Sequence, residues 1–241
     1  MAALQNKIAY ITGCSRGIGA ALVDLLLDLD YQIIGIARSN VAERPNFKFI
    51  KLDLNDLEAV QQFNFSQNAS EVLLINNAGI IGEISPVGQI SDQSIQQVIN
   101  VNTIAPQILM NKFIKTFSQK VKKGHIINIS SGAGKHPIDA WASYCASKAA
   151  LDLFSQTTAE ELKSREILNW HIHAIAPGVV DTQMQSDIRQ ANPENFKLHE
   201  RFVGLKNDNE LSDPKNVANQ INKVIQQPLN YPETVISVRD F

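Results

Sequence analysis

Three side chains near the middle of the chain have the types and the spacing to reduce a carbonyl group. Tyr144 and Lys148 lie four residues apart in a run that predicts a long helix over Trp141–Arg165, so they share one helix face. A phenol titrates near pH ~10, and we expect the neighbouring ammonium to lower its pKa toward the range that a proton donor needs. Ser131, thirteen residues before Tyr144, adds a hydroxyl group. A Tyr–Lys pair at this spacing is also a common surface contact, and the surrounding sequence decides between the two interpretations.

The composition favours one folded α/β domain over residues 1–241. The 241 residues are 44% hydrophobic and carry a net charge of −2, which is ordinary for a globular chain of this length. A lysine cluster at 120–123 precedes Gly124, and we interpret it as charge at a helix end rather than a site for a phosphate backbone. We therefore expect no nucleic-acid partner.

The sequence also predicts a cytoplasmic protein without a metal site. It has no run of about 18 apolar residues that would cross a membrane, and no signal peptide is visible. Cys14 and Cys145 belong to no metal or redox spacing, and two thiols fit a reducing compartment. His171 and His173 share a strand face but lack further ligands at fixed spacing, so we interpret them as packed or hydrogen-bonded residues.

Short apolar runs alternate with helical patterns along the chain. The predicted strands are Lys7–Ile11, Gln32–Ile36, Phe47–Leu52, Val72–Asn76, His125–Ser130, His171–Ala176 and Thr234–Val238. The predicted helices are Ile18–Leu29, Asp56–Phe65, Ser91–Phe117 with a break near Asn102, Trp141–Arg165 and Pro214–Gln227. Continuous apolar strands are typical of a parallel sheet that is buried on both faces, so the alternation predicts a doubly wound, Rossmann-type α/β fold with helices on both faces.

The stretch Val179–Leu211 is the least regular part of this pattern, and no helix or strand is predicted there. A plain connection between two elements is much shorter, and long segments of this kind are usually functional lids. We therefore predict that a substrate loop spans residues 179–211.

A glycine-rich turn follows the first predicted strand and leads into a helix. The turn reads Thr12-Gly13-Cys14-Ser15-Arg16-Gly17-Ile18-Gly19. Glycines let the backbone approach a pyrophosphate, which then lies at the helix N-terminus. The spacing differs from the general dinucleotide fingerprint, and many strand–helix turns need glycine, but the position in a βαβ unit favours a nucleotide site.

The end of the second predicted strand indicates which dinucleotide binds. A site for NAD usually carries an acidic residue there, on the ribose 2′-hydroxyl. Here the strand ends at Arg38, and Arg16 lies in the glycine turn. Two guanidinium groups can bind a 2′-phosphate, so the sequence favours NADPH, and the alternative is a pair of solvated surface arginines.

Two further segments follow strands at the same edge of the predicted sheet. Asp53 follows the third strand, where it can meet the adenine ring. Its alternative role is a helix N-cap, which Asn55 or Asp56 would serve equally well. The fourth strand is followed by the turn signal Asn76-Asn77-Ala78-Gly79, which in this order passes the adenosine ribose.

Together these segments resemble the classical short-chain dehydrogenases/reductases over nearly the whole chain. The matching positions are Thr12, Gly13, Gly17, Ile18, Gly19, Asn76, Asn77, Ala78, Gly79, Asn102, Ser131, Tyr144, Lys148, Pro177, Gly178 and Thr182. The resemblance implies that Tyr144 protonates the carbonyl oxygen, Lys148 holds the nicotinamide ribose and Ser131 binds the carbonyl oxygen. It also implies that Asn102 joins a water relay behind Lys148. The residues implied to border the nicotinamide are Pro177, Gly178, Val180 and Thr182.

The last third of the chain narrows the resemblance to the branch that holds sepiapterin reductases and bacterial benzil reductases. The matching segments are 179–185, 188–189, 202–206 and 211–214. Sepiapterin reductases anchor the pterin through an aspartate near the C-terminus, where this chain has Ser237, with Asp240 further on. This departure favours an NADPH-dependent reductase of a vicinal diketone over a pterin reductase. A catalytically idle NADP-sensing regulator is a third alternative, although all four catalytic positions are kept.

Two further expectations concern the substrate pocket and the assembly. The pocket walls are predicted to include His136, Trp141, Cys145, Met184, Phe196 and Phe202. Such walls suit a hydrophobic small-molecule carbonyl substrate, while core or interface packing is the alternative. The resemblance implies a homodimer through the helices Ser91–Phe117 and Trp141–Arg165.

Overall fold

Seven parallel strands form one sheet in the computed structural model, which describes residues 6–65 and 68–241. The strands are β1 (Lys7–Thr12), β2 (Tyr31–Ala37), β3 (Phe47–Lys51), β4 (Glu71–Asn76), β5 (Lys123–Ile129), β6 (Trp170–Ala176) and β7 (Val235–Ser237). Their order is β3-β2-β1-β4-β5-β6-β7, so the winding direction reverses between β1 and β4. Ligands of doubly wound sheets bind at the carboxyl ends of the strands beside such a reversal. All seven strand predictions are confirmed, with ends displaced by at most two residues.

Helices cover both faces of the sheet, as predicted. They are α1 (Gly17–Leu27), α2 (Leu57–Gln62), α3 (Asp92–Ile99), α4 (Ala105–Phe117), α5 (Ala142–Ser164), α6 (Gln183–Arg189), α7 (His199–Asn207) and α8 (Pro214–Gln226). The helices α1 and α8 bury their apolar sides in one core, and α2, α4 and α5 contribute to a second core on the opposite face.

The strands supply both cores because neighbouring side chains point to opposite faces of a sheet. In β1, Ala9 and Ile11 belong to the core under α1 and α8, whereas Ile8 and Tyr10 belong to the core under α4. Each fully buried side chain of this kind contributes roughly 1.5–3 kcal/mol, which explains why the strands read as continuous apolar runs. The doubly wound α/β fold is therefore confirmed.

Two predicted helices differ in detail from the structure. The helix expected over Asp56–Phe65 ends at Gln62, because the backbone of Phe63 turns to φ −59° and ψ 135°. Phe65 instead packs against Tyr10, with ring centroids 4.8 Å apart. The helix expected over Ser91–Phe117 does break near Asn102, where the π-helical turn Asn100–Ile104 separates α3 from α4.

Residues 179–211, for which the sequence predicted no helix or strand, contain helices in the structure. This segment contains α6, α7 and a short 3-10 turn at Pro193–Asn195. Its helices are held by tertiary contacts, since Ile188, Phe196 and Phe202 are buried in a third cluster together with Tyr144. Within the described residues, no helix combines the length and the apolarity that crossing a membrane would need.

A buried histidine pair joins β5 to β6 on the face covered by α8. His173 Nε2 lies 2.9 Å from the carbonyl oxygen of Tyr231, so this nitrogen carries the proton and the other ring nitrogen accepts from His125 Nε2 at 2.9 Å. His125 Nδ1 then has no hydrogen-bond partner among the described residues. Burial lowers the pKa of His125, His171 and His173, and the mutual proximity of the rings adds to this for His125 and His171.

These histidines make the stability of the fold depend on pH. The folded chain keeps them neutral, while the unfolded chain protonates histidine below pH ~6.5, so we expect the free energy of unfolding to fall as the pH drops below that value. For each histidine that is protonated only in the unfolded chain, the free energy of unfolding falls by up to about 1.4 kcal/mol per pH unit. Chemical denaturation across this range measures the slope.

The variant His125→Gln keeps a donor for His173 and removes one titrating ring, so its slope should be shallower than that of the wild type. His136→Gln replaces an exposed histidine and is the matched control. Equal slopes for the wild type and both variants would show that the buried rings do not cause the effect.

Candidate active site

Tyr144, Lys148 and Ser131 converge where α5 crosses the end of β5. Lys148 is 4% exposed, and its Nζ donates to the carbonyl oxygen of Ile129 at 2.8 Å. Ser131 follows the strand end, and its side chain hydrogen-bonds the phenol of Tyr144. Ser131 also caps the 3-10 turn Gly132–Gly134. The structure therefore brings the three residues together.

Burial dominates the titration of this group. Desolvation raises the pKa of Tyr144 to about 12, and the hydrogen bond from Ser131 opposes that rise. Desolvation also lowers the pKa of Lys148 to about 8. The expected lowering of the Tyr144 pKa by Lys148 is not found in this structure, where burial raises that pKa and the ammonium lies 5.8 Å from the ring centroid.

Asn102 occupies the π-helical turn and binds the segment that follows β4. Its amide donates to the carbonyl oxygen of Ile80 at 2.8 Å and to Ser147 Oγ at 3.1 Å, and its side-chain oxygen accepts from the Ile80 N–H at 2.9 Å. A side chain at Gly79 would lie 3.4 Å from Asn102 Oδ1 and 3.6 Å from Lys148 Nζ. Asn102 therefore lies beside Lys148, and π-helical turns of this kind are frequent at functional sites.

The glycine turn packs directly against the segment after β4. Thr12 Oγ1 accepts from the N–H groups of Asn77 and Ala78 at 3.0 and 3.1 Å. Gly13 has φ +67°, and a Cβ there would lie 2.9 Å from the Cα of Ala78. A Cβ on Gly19 would lie only 2.2 Å from the carbonyl oxygen of Gly13. Both contacts require glycine.

The N-terminus of α1 is open toward a cleft. Arg16 precedes this helix in an extended conformation, and within the described residues no side chain caps it. A cleft of about 560 Å³ lies beside this N-terminus, at the carboxyl ends of the central strands. A glycine cradle with free helix N–H groups fits the pyrophosphate of a nicotinamide dinucleotide.

Most of the predicted cofactor residues line this cleft. They are Gly13, Ser15, Arg16, Gly17, Ile18, Arg38, Asp53, Asn77, Ala78, Gly79 and Thr182. The other candidates are not among its described lining residues: Gly19, Asn102, Ser131, Tyr144, Lys148, Pro177, Gly178 and Val180. Gly19 and Val180 are buried beneath the surface, and Lys148 lies behind Gly79 at the inner end.

Arg16 and Arg38 are exposed at the mouth of the cleft, where neither forms a salt bridge with another described residue. The alternative that Asp53 caps a helix is excluded, because Asp56 caps α2 by accepting from the Ala59 N–H at 3.0 Å. Asp53 instead accepts from the Asn55 N–H and lines the cleft.

Several residues of the cleft were not predicted from the sequence. They are Ile36, Ala37, Ser39, Leu52, Leu54, Ile80, Ile81, Gly82, Val101, Gln183 and Asp187. Most of them are immediate neighbours of predicted residues at the carboxyl ends of strands. Their position next to those strand ends could therefore have indicated that they line the cleft. Gln183 and Asp187 belong to α6, whose position follows only from its tertiary packing.

An aromatic cluster of Trp141, Phe196 and Phe202 covers Tyr144. Trp141 stacks on Phe196 with ring centroids 5.7 Å apart, lies 5.3 Å from Phe202 and meets the ring of Tyr144 edge-on at 5.7 Å. Tyr144 is consequently 6% exposed. Of the other predicted pocket residues, Cys145 and Met184 pack against the same cluster, whereas His136 is exposed.

A family model described as "short chain dehydrogenase" matches residues 7–193. The chain belongs to the short-chain dehydrogenases/reductases. It is 37% identical to a Bacillus cereus protein named benzil reductase, (S)-benzoin forming, over 91% of this chain and 94% of that protein. This short-chain dehydrogenase/reductase is thus an oxidoreductase of the benzil reductase branch that acts on carbonyl or alcohol groups.

Solved structures agree with this assignment. The short-chain dehydrogenase/reductase YIR035C from Saccharomyces cerevisiae is similar with a TM-score of 0.82 and 26% identity, over 97% of this chain and 96% of that chain. A 4-hydroxyisoleucine dehydrogenase complexed with NADH is similar with a TM-score of 0.78 and 26% identity, over 96% of each chain. A nicotinamide cofactor is therefore supported for this short-chain dehydrogenase/reductase.

The packing of the glycine turn gives a direct test of the nucleotide cradle. The variant Gly19→Ala must displace the carbonyl of Gly13, so we expect a loss of about 1–3 kcal/mol in the free energy of unfolding and weaker binding of the nicotinamide dinucleotide. Denaturation and nucleotide fluorescence measure the two effects. Gly132→Ala is the matched control, since no described atom lies within 4 Å of its added Cβ. Unchanged stability and binding in Gly19→Ala would show that the tight contact is dispensable.

Proposed function

We propose that this enzyme is an NADPH-dependent carbonyl reductase that transfers hydride to a vicinal diketone such as benzil. The observation that carries the proposal is the 37% identity, over 91% of the chain, to a protein named benzil reductase. The site geometry supports it, because a buried phenol, a hydroxyl and an ammonium lie together, and the ammonium lies behind Gly79, which lines the cleft.

In the proposed reaction Tyr144 is the proton donor. Its raised pKa keeps the phenol protonated at neutral pH, which is the state that reduction of a carbonyl requires. The single O–H of Ser131 is the candidate donor for the carbonyl oxygen before the proton is transferred, and for the phenolate of Tyr144 afterwards. Aimed donors of this kind are worth about 3 kcal/mol in comparable sites. When bound, the reduced nicotinamide supplies the hydride.

Lys148 and Asn102 have supporting roles in this proposal. Lys148 presents its ammonium beside Gly79, next to the segment that borders the cleft, and is the candidate partner of the nicotinamide ribose. Asn102 holds the backbone of Ile80 from behind and is the candidate anchor of a proton relay. Pro177, Gly178, Val180 and Thr182 remain the proposed border of the nicotinamide.

The surroundings of Tyr144 are apolar. Trp141, Phe196 and Phe202 are buried and pack against one another and against its ring, so the predicted alternative of core packing describes them in this structure. Apolar surroundings of this kind favour an apolar carbonyl substrate over a charged one. We therefore propose that residues 179–211, which supply two of these rings, form the substrate segment. The same segment also lines the cleft through Thr182 and Met184.

A sepiapterin-type reductase is less well supported. Ser237 pairs with Ala176 at the carboxyl end of β6, and its hydroxyl accepts from the Arg239 N–H at 3.2 Å. Asp240 Oδ2 accepts from the Ser237 N–H at 3.0 Å, so this carboxylate is engaged in capping the last turn. An idle NADP sensor is also disfavoured, since the serine, tyrosine, lysine and asparagine are all kept.

The NADPH preference rests on Arg16 and Arg38, which line the cleft together with Asp53, and we propose that these residues surround the adenosine half of the nucleotide. The homodimer and the cytoplasmic location remain predictions from the resemblance and the composition.

The substrate is tested by the initial rate of NADPH oxidation with benzil, beside sepiapterin. We expect turnover of benzil to exceed that of sepiapterin, and Tyr144→Phe to lower it at least 100-fold while NADPH still binds, because the variant lacks only the proton donor. Preference for sepiapterin would contradict the diketone proposal. Retained turnover in Tyr144→Phe would mean that the proton comes from another group.

The cofactor preference is tested with Arg38→Ala. Loss of a charge-assisted contact to the 2′-phosphate should raise the KM for NADPH roughly 10-fold or more and leave the KM for NADH nearly unchanged. Arg165→Ala removes an exposed arginine at the far end of α5 and is the control for net charge. An equal change for both nucleotides would reject the role of Arg38.

A further inference from the structure

The end of β5 is bound to α5 at three consecutive residues. The carbonyl of Ile129 accepts from Lys148, and Ser131 hydrogen-bonds Tyr144, as described above. Between them, Ser130 Oγ donates to Asp152 Oδ1. Because residues four apart share a helix face, α5 presents a phenol, an ammonium and a carboxylate in a row to successive residues of the strand end.

Asp152 is buried in a way that charged side chains rarely are without a function. It is 7% exposed, and its second carboxylate oxygen lies 2.8 Å from the position that a Cβ on Gly134 would take. A carboxylate in such a place is costly unless hydrogen bonds and opposite charges compensate. Ser130 provides the hydrogen bond, and Lys148 and Lys135 are the cations that act on Asp152.

Asp152 and Lys148 each affect the pKa of the other. Burial raises the pKa of Asp152, while Ser130, Lys148 and Lys135 oppose the rise. Burial lowers the pKa of Lys148, and Asp152 is the charged group that opposes this. Each charge therefore favours the ionised form of the other across one helical turn, although no direct ion pair joins these two described side chains.

We propose that Asp152 is a positioning residue that supplies the counter-charge for Lys148 and, through Ser130, fixes the strand end that carries Ser131. This inference deepens the proposed reductase site, because Lys148 matters here as a member of that site. A protonated Lys148 is needed if its ammonium is to bind a ribose hydroxyl as a charged donor. Without Asp152, a larger fraction of Lys148 would be neutral at the pH of the reaction.

The experiment follows Lys148 directly, in protein labelled with ¹³C at lysine Cε. The NMR shift of this carbon reports the protonation of the adjacent amine as pH is changed. We expect Asp152→Asn to lower the titration midpoint of Lys148 by about 1 pH unit or more, since removal of an adjacent opposite charge has this effect. An unchanged midpoint would overturn the proposal.

Two controls separate this role from a merely structural one. Glu160→Gln removes an equal charge from an exposed position of the same helix and should leave the midpoint in place. Asp152→Glu keeps the negative charge, so the titration midpoint of Lys148 should stay close to that of the wild type. An equal fall of the midpoint in Glu160→Gln and Asp152→Asn would count against Asp152 as the specific partner of Lys148. A midpoint in Asp152→Glu that is as low as in Asp152→Asn would count against it as well.

A second variant covers the case in which Asp152→Asn does not fold. Ser130→Ala leaves the carboxylate of Asp152 but removes its hydrogen bond, so Asp152 should protonate at a higher pH than in the wild type. The small change that this protonation causes in the NMR shift of the Lys148 Cε carbon should therefore also occur at a higher pH. If that change occurs at the same pH as in the wild type, the link through Ser130 is wrong. These measurements need no substrate, so they test the role of Asp152 even if neither benzil nor sepiapterin is reduced.

If benzil is reduced, the pH profile of kcat in each variant should shift by the same amount as the titration midpoint of Lys148.

Discussion

Lys148 carries an ammonium group into the interior, between the backbone segments that follow β4 and β5. Removing such a group from water costs several kcal/mol unless the protein replaces its hydrogen bonds. The carbonyl of Ile129 does so, and Gly79 leaves room beside the Nζ. The π-helical turn that carries Asn102 can be understood in the same way, because it holds the chain next to Gly79 in place through Ile80.

The seven strands and the presence of a core on each face of the sheet could be predicted from the sequence, because buried parallel strands need apolar residues on both faces. Runs such as Ile8–Ile11 and Val72–Ile75 leave little alternative. The cleft was predictable for the same reason, since a sheet reversal brings the glycine turn, Arg38 and the turn after β4 to one edge. These features depend on local pattern and topology, which a sequence displays directly.

Other features depend on contacts between distant residues and could not be predicted in this way. The helices α6 and α7 owe their stability to Ile188, Phe196 and Phe202, which pack around Tyr144 rather than forming a strong periodic pattern. The raised pKa of Tyr144 reflects its burial beneath that segment, which spacing along α5 does not reveal. Asp152 was overlooked because an acidic residue on a helix is usually solvated, and its partner Ser130 lies 22 positions away.

The aromatic cluster also has an optical consequence. The chain has two tryptophans, and only Trp141 contacts the rings of the 179–211 segment, whereas Trp170 lies in the core beside Phe113. Stacking and exclusion of water govern indole emission, so Trp141 reports on movement of that segment while Trp170 provides a constant background. The native chain therefore contains its own fluorophore for following how the space above Tyr144 opens and fills.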